Sequence, residues 1–177
     1  MSGPVLRSEW VYLLDTNIVS ELARARPHPR VVKWIETVDC ACLALPLSAI
    51  FEIQFGIEMV RPFSPESAAR KEQWLNALLA TRDLEIAVPD VGAARLRAKM
   101  YATPALQNFV RTRDKSNRLT TGEDLYIAAV AIARGAVVTT RDVDDFLQID
   151  EHFPLPGIFN PATGDWPKPP APQERRH

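Results

Sequence analysis

The sequence predicts an α/β fold in which a parallel sheet is covered by helices on both faces. Two observations carry that expectation. Short apolar, β-prone runs alternate with segments of helical periodicity along most of the chain, the order that gives parallel strands joined by crossover helices. Two of those runs, residues 11–15 and 136–140, finish on polar residues, as strands do at the carboxyl edge of an open sheet. A length of 177 residues, 46% hydrophobic and 24% charged, suits one globular domain with or without a tail.

The first strand is expected over Val11–Asp15 and is followed at once by a helix starting at Thr16 or Asn17 and running to about Arg26, where Pro27 and Pro29 interrupt it. Pro29 then suits the first turn of a second helix carrying Val31, Val32, Trp34, Ile35 and Val38. Cys42–Pro46 reads as a second buried strand, with Ser48 as N-cap of a helix over 49–60 whose core face is Ile50, Ile53, Ile57 and Val60. A helix over 64–81 presents Trp74, Leu75, Leu78 and Leu79, a third strand spans 84–88, and a helix over 90–102 points Val91, Ala94, Leu96 and Met100 inward. Residues 103–121 are the least regular interior stretch. Thr120 and Glu123 form a capping box for the next helix, which runs to about Arg134 and stops at Gly135. Residues 136–140 are the fourth strand, and Ile158 with Phe159 can add an edge strand. Residues 1–160 are therefore assigned to the folded domain. The tail, 161–177, is proline-rich and expected to lack regular structure.

Composition narrows the function classes. No apolar stretch approaches the roughly 20 residues that span a bilayer, and no signal-like leader precedes the first strand, so a cytoplasmic protein is expected. Cys40 and Cys42 are too few and too close for a disulfide framework or a four-ligand zinc site, and read as buried thiols. A formal net charge of -1 does not advertise a nucleic-acid binder, yet carboxylates that hold metal ions count as negative while being neutralised in their working state.

Asp15 is the first candidate for chemistry, because it ends a strand at the edge where ligands collect; the plain alternative is that it caps the following helix. Glu52 shares its side of a helix with Phe55, Gly56 and Met59, so it faces the interior or a cleft wall and needs a partner. Glu123 has a capping role, which leaves Asp124 without one. Asp142 follows the fourth strand and could be only a turn residue. Taken together, Asp15 and Asp142 end strands while Glu52 and Asp124 occupy first turns of helices beginning near the same sheet edge. Gathered there, the carboxylates would repel one another unless hard divalent cations, Mg²⁺ or Mn²⁺, bound them. Metal-assisted phosphodiester hydrolysis is the chemistry such a site offers.

At these residues the chain resembles the PIN-domain ribonucleases, in particular the VapC toxins of bacterial type II toxin–antitoxin pairs and their FitB-like branch. The first motif is Leu13-Leu14-Asp15-Thr16-Asn17-Ile18-Val19-Ser20-Glu21 and the second runs from Leu47 to Ile57 through Glu52. The third is Glu123-Asp124-Leu125-Tyr126-Ile127-Ala128-Ala129, and the fourth is Val138-Thr139-Thr140-Arg141-Asp142 with Asp145-Phe146. The resemblance spans roughly residues 11–160. It implies a PIN-like three-layer fold with a central parallel sheet of four to five strands. It also implies an endoribonuclease whose Mg²⁺ or Mn²⁺ is held by Asp15, Glu52, Asp124 and Asp142, with Asp145 in reserve because many relatives carry Asn in place of the last. Asn17 and Thr140 would order the carboxylates or a water. A homodimer, and inhibition by a small antitoxin in the active-site groove, are implied as well.

The basic segment before Asp124 is longer than in compact relatives, and its Arg111, Arg113, Lys115 and Arg118 are candidate contacts to an RNA backbone; a solvated loop is the alternative. Two other functions compete. A phosphoaspartate enzyme using Asp15 as nucleophile would want a second Asp where this chain has Asn17. A catalytically silent PIN-like module would bind RNA or a partner without cutting it.

Overall fold

The computed structural model describes residues 9–111 and 123–171. Six strands form one sheet in the order β3-β2-β1-β4-β5-β6: β1 is Tyr12–Leu14, β2 Leu43–Pro46, β3 Glu85–Ala87, β4 Val137–Thr139, β5 Ile158–Asn160 and β6 Asp165–Lys168. The first five run parallel, and β6 pairs antiparallel with β5. The expected parallel core is therefore present with five strands, and a sixth closes one edge.

Alternation along the strands sorts the core into two layers. Leu13, Ala44, Ala87, Val138 and Ile158 pack with Ala93, Met100, Leu106, Ile127, Phe146 and Ile149 on one face. Tyr12, Leu14, Leu43, Leu45, Val137 and Phe159 pack with Ile18, Val19, Val31 and Ala49 on the other. The second face is covered by α1 (Thr16–Leu22), α2 (Pro29–Thr37), α3 (Leu47–Val60) and α4 (Pro65–Leu79). The first is covered by α5 (Val91–Ala102), α6 (Gln107–Arg111), α7 (Glu123–Arg134) and α8 (Val143–Asp150). The result is a three-layer α/β/α arrangement.

Several expectations need correction. Helix α1 ends at Leu22 rather than near Arg26, with Ala23 as its C-cap. Pro46, not Ser48, occupies the N-cap of α3; Ser48 lies inside the helix, buried. In α5 the inward residues are Ala93 and Met100, with Leu96 partly buried, whereas Val91 is 76% exposed and Ala94 faces solvent. Met100 and Leu96 thus lie inward as expected, and Ala93 joins them, its small side chain giving hydrophobic periodicity little to register. Cys40 and Cys42 are free but only half-buried, not core thiols. Helix α8 was not anticipated at all, although Phe146 and Ile149 are fully buried one turn apart. Thr120 of the capping box lies outside the described residues, while Gly135 does end α7 with φ of +66°, a conformation glycine reaches without steric cost.

The proline-rich segment after Asn160 is also more regular than expected. Trp166 of β6 sits 4.7 Å from the Phe159 ring and 6.2 Å from Tyr12, and Lys168 pairs with Asp150 at 2.5 Å. Pro167 is tolerated because β6 is an edge strand, where a missing N–H costs no ladder bond.

Candidate active site

The strand order places a topological switch between β1 and β4: the chain steps outward through β2 and β3 on one side and through β5 on the other. Residues leaving the carboxyl ends of β1 and β4 flank that crevice, and they are Asp15 and Asp142. Asp15 is only 5% exposed, and its backbone N–H donates to the Thr139 carbonyl at 3.0 Å, which locks it to the end of β4. It stands at the N-cap position of α1, yet its side chain makes no capping hydrogen bond. Its Oδ2 instead accepts from the Thr140 hydroxyl at 2.7 Å and from Asn17 Nδ2 at 2.6 Å. Capping therefore does not account for this carboxylate.

Asn17 is the hub of the polar cluster. Besides Asp15, its amide nitrogen lies 3.0 Å from Thr140 Oγ1 and 3.0 Å from Asp142 Oδ2, and its Oδ1 accepts from the Arg141 backbone N–H at 3.1 Å. Thr140 Oγ1 in turn accepts from the Asp142 N–H at 2.9 Å. Asp142 starts α8 without capping it, its carboxylate being turned to Asn17. Glu52, half-buried on α3, receives a hydrogen bond from the Thr16 hydroxyl through Oε2. Asp124 lies in the first turn of α7 and is half-buried.

Electrostatics ties these groups into one cluster. Burial pushes Asp15 up to about 7, with the Thr140 hydroxyl opposing the rise and the charges of Asp142 and Glu52 adding to it. Burial pushes Asp124 up to about 8, helped by Asp15, Asp145, Glu52 and Asp142. Asp145 is raised too, by burial and then by Asp142 and Asp144. The structure thus brings Asp15, Glu52, Asp124, Asp142 and Asp145 into mutual repulsion at one sheet edge, with Asn17 and Thr140 against Asp15. Asp142 lies on the Asn17 side of the cluster, and Asp145 acts on Asp124.

A hard divalent ion fits this donor set by chemistry: every candidate ligand is a carboxylate, three of them (Asp15, Asp124 and Asp145) resist ionisation, and a bound cation would reverse that penalty. The carboxylates nevertheless stand apart, and among the described residues no three acidic, His or Cys side chains already converge tightly enough to grip an ion. Thr16 holds Glu52, and Asn17 with Thr140 holds Asp15 and Asp142. Of the basic candidates, Arg111 ends α6, while Arg113, Lys115 and Arg118 lie outside the described residues.

Two supporting features were not read from the sequence. One is Thr16, whose hydroxyl meets Glu52 from 36 residues away. The other is a buried acid, Glu21, 3% exposed, whose Oε2 accepts from Arg141 Nη1 at 2.6 Å. A signal for the second existed: Glu21 follows Asn17 by one helical turn and stands beside the apolar Ile18, Val19 and Leu22.

Among known proteins, the chain is 29% identical to Toxin FitB of Neisseria gonorrhoeae over 151 residues, which cover 84% of this chain and 96% of that protein. It is 28% identical to VapC ribonuclease Y4jK of Sinorhizobium fredii over 134 residues, 76% of this chain and 89% of the relative. The fold is shared with VapBC2 of Rickettsia felis, solved bound to a DNA fragment from its promoter, at a TM-score of 0.59 and 20% identity over 85% of this chain and 98% of that one. It is shared equally with FitAcB of Neisseria gonorrhoeae, at a TM-score of 0.57 and 23% identity over 85% and 98%. The PIN domain model matches residues 12–152, a stretch that holds all five clustered carboxylates, and the chain belongs to the PIN domain family.

Proposed function

We propose that this chain is a divalent-metal-dependent endoribonuclease and the toxin of a type II toxin–antitoxin pair, working in the cytoplasm. The observation that carries the proposal is the carboxylate cluster at the β1/β4 switch, where Asp15 and Asp124 are pushed to about 7 and about 8. Asp15, Glu52, Asp124 and Asp142 would hold Mg²⁺ or Mn²⁺, with Asp145 able to replace Asp142. When bound, the ion supplies Lewis-acid charge for activating water and for offsetting the charge that builds on phosphodiester oxygens.

The chain's own residues supply orientation. Thr140 and Asn17 fix the Asp15 carboxylate by donating to Oδ2, Asn17 also holds Asp142, and Thr16 holds Glu52 through Oε2. Arg111, Arg113, Lys115 and Arg118 would contact RNA phosphates, giving salt-dependent binding that does not specify sequence. The names of the relatives, a toxin and a VapC ribonuclease, support the activity and the antitoxin partner.

The test is incubation of the purified, antitoxin-free protein with an RNA pool in Mn²⁺ or Mg²⁺ beside a chelator control, with the new ends mapped. Internal cleavage that the chelator abolishes is expected. RNA bound but left intact in Mn²⁺ would instead establish a silent binding module.

A homodimer is part of the proposal. Along α3 and just beyond it, Phe51, Phe55, Met59 and Phe63 are 54%, 51%, 53% and 86% exposed, and the Phe51 and Phe55 rings stack at 6.1 Å. A solvent-facing apolar row of this kind marks an interaction surface, and a helix row can pair with itself across a two-fold axis. Phe55→Glu is expected to shift light scattering from dimer to monomer. A wild type already monomeric at micromolar concentration, or a variant still dimeric, would remove α3 from the interface.

A further inference from the structure

Asp142 stands where the connection from β4 enters α8, and that short connection needs an anchor if its acid is to stay in register. The segment Thr140–Asp142 is anchored twice on the same face of α1. Asn17 takes the Arg141 backbone N–H on Oδ1 at 3.1 Å, and one turn later Glu21 takes the Arg141 guanidinium on Oε2 at 2.6 Å. Glu21 is 3% exposed, and its other oxygen accepts from the His28 N–H at 2.8 Å, just where α2 begins. One buried carboxylate therefore joins the end of α1, the start of α2 and the loop that carries Asp142. Arg24 also reaches Glu21, at 3.1 Å, but its own side chain is 62% exposed and it belongs to the same stretch of chain as Glu21, three residues on.

We infer that Glu21, through Arg141, is a positioning residue for the active site: the buried pair clamps the Thr140–Asp142 loop onto α1 and so sets where Asp142 stands against Asn17 and Asp15. The inference rests on the site proposed above but concerns groups that touch neither substrate nor ion. Charge-assisted, guanidinium–carboxylate contacts are the strong and directional kind, and this one is shielded from solvent on the acid's side. Without it, Arg141 can swing to water and the loop keeps only the Asn17 contact. Groups that orient ligands from behind typically change metal affinity or activity by about 10- to 100-fold when removed.

The test compares Glu21→Gln, Arg141→Gln, the double variant and Arg24→Gln with wild type. Gln at 21 can still accept from His28; if that variant folds poorly, Arg141→Gln removes the same contact from a more exposed position. The first readout is hydrogen exchange of the ion-free protein. Faster exchange is expected at the Arg141 and Asp142 amides in Glu21→Gln and Arg141→Gln, with the β1 and β4 amides unchanged and Arg24→Gln like wild type. The second readout is Mn²⁺ affinity by calorimetry, expected to fall about 10-fold or more in either single variant, with the double variant no worse than the singles. Unchanged exchange at 141–142, or additive losses in the double variant, would overturn the inference. A wild type that binds no Mn²⁺ and cuts no RNA, but shows the exchange change, would leave the clamp standing and remove the nuclease proposal instead.

Discussion

Replacing Asp15 by Asn is expected to abolish most RNA cleavage while making the ion-free protein more stable above pH 7. The two effects have one cause. Asp15 is a buried carboxylate whose ionisation is opposed by burial and by the charges of Asp142 and Glu52. Asn has nearly the same shape, and its carbonyl can still accept from Thr140 and Asn17, so the fold should survive. Ionisation of Asp15 is no longer required near neutral pH, and the penalty it carries disappears. The proposed ion, however, would lose a charged ligand at the centre of the cluster. If that ligand is worth several kcal/mol in the transition state, and each ~1.4 kcal/mol is tenfold in rate, the loss is about a thousandfold or more. Single-turnover cleavage rates in Mn²⁺ and thermal melts in chelator at pH 5 and pH 8.5 check both halves. Cleavage above a tenth of wild type would remove Asp15 from the centre of the site. A melting temperature lowered at both pH values would mean the carboxylate is a structural anchor.

The site's ingredients were legible in the sequence because each acid sits next to a strong local signal. Asp15 and Asp142 follow short apolar strand runs, and Asp124 follows a helix-start signal. Parallel connectivity then sends those junctions to one edge of the sheet. What stayed hidden depends on contacts between distant segments. Nothing local to Thr16 announces Glu52, and nothing local to Glu21 announces Arg141, 120 residues away. In α5 the sequence pattern marks Leu96 and Met100 correctly but not Ala93, whose small side chain leaves little hydrophobic pattern, and it wrongly includes the exposed Val91 and Ala94. Proline content argued against order after Asn160, yet β6 is held by tertiary contacts of Trp166 and Lys168 that composition cannot express. Asp142 and Asp145 both reach the cluster, from opposite ends of the first turn of α8, so the fourth motif offers two acids where sequence reading had to rank one above the other.

Stability of the ion-free protein should fall as pH rises from about 5 to about 8, and divalent cations should cancel most of that fall. An Asp normally ionises near 3.8, whereas in the folded chain Asp15 waits until about 7 and Asp124 until about 8. Between those limits the native state keeps protons that the unfolded state has released. The unfolding free energy then decreases with pH, by about 1.4 kcal/mol per pH unit for each proton retained. The contribution is intact below pH 4 and is lost as pH climbs through the folded values, the reverse of a salt-bridged carboxylate. Mg²⁺ or Mn²⁺ held by the ionised cluster, as proposed, would stabilise the native state by mass action, and more strongly at pH 8 than at pH 5. Melting temperatures taken across pH 5 to 8.5, with chelator and with excess Mn²⁺, should diverge as pH rises. Parallel curves, with the same ion-induced increment at both ends, would mean that the cation binds elsewhere than among Asp15, Asp124 and their neighbours.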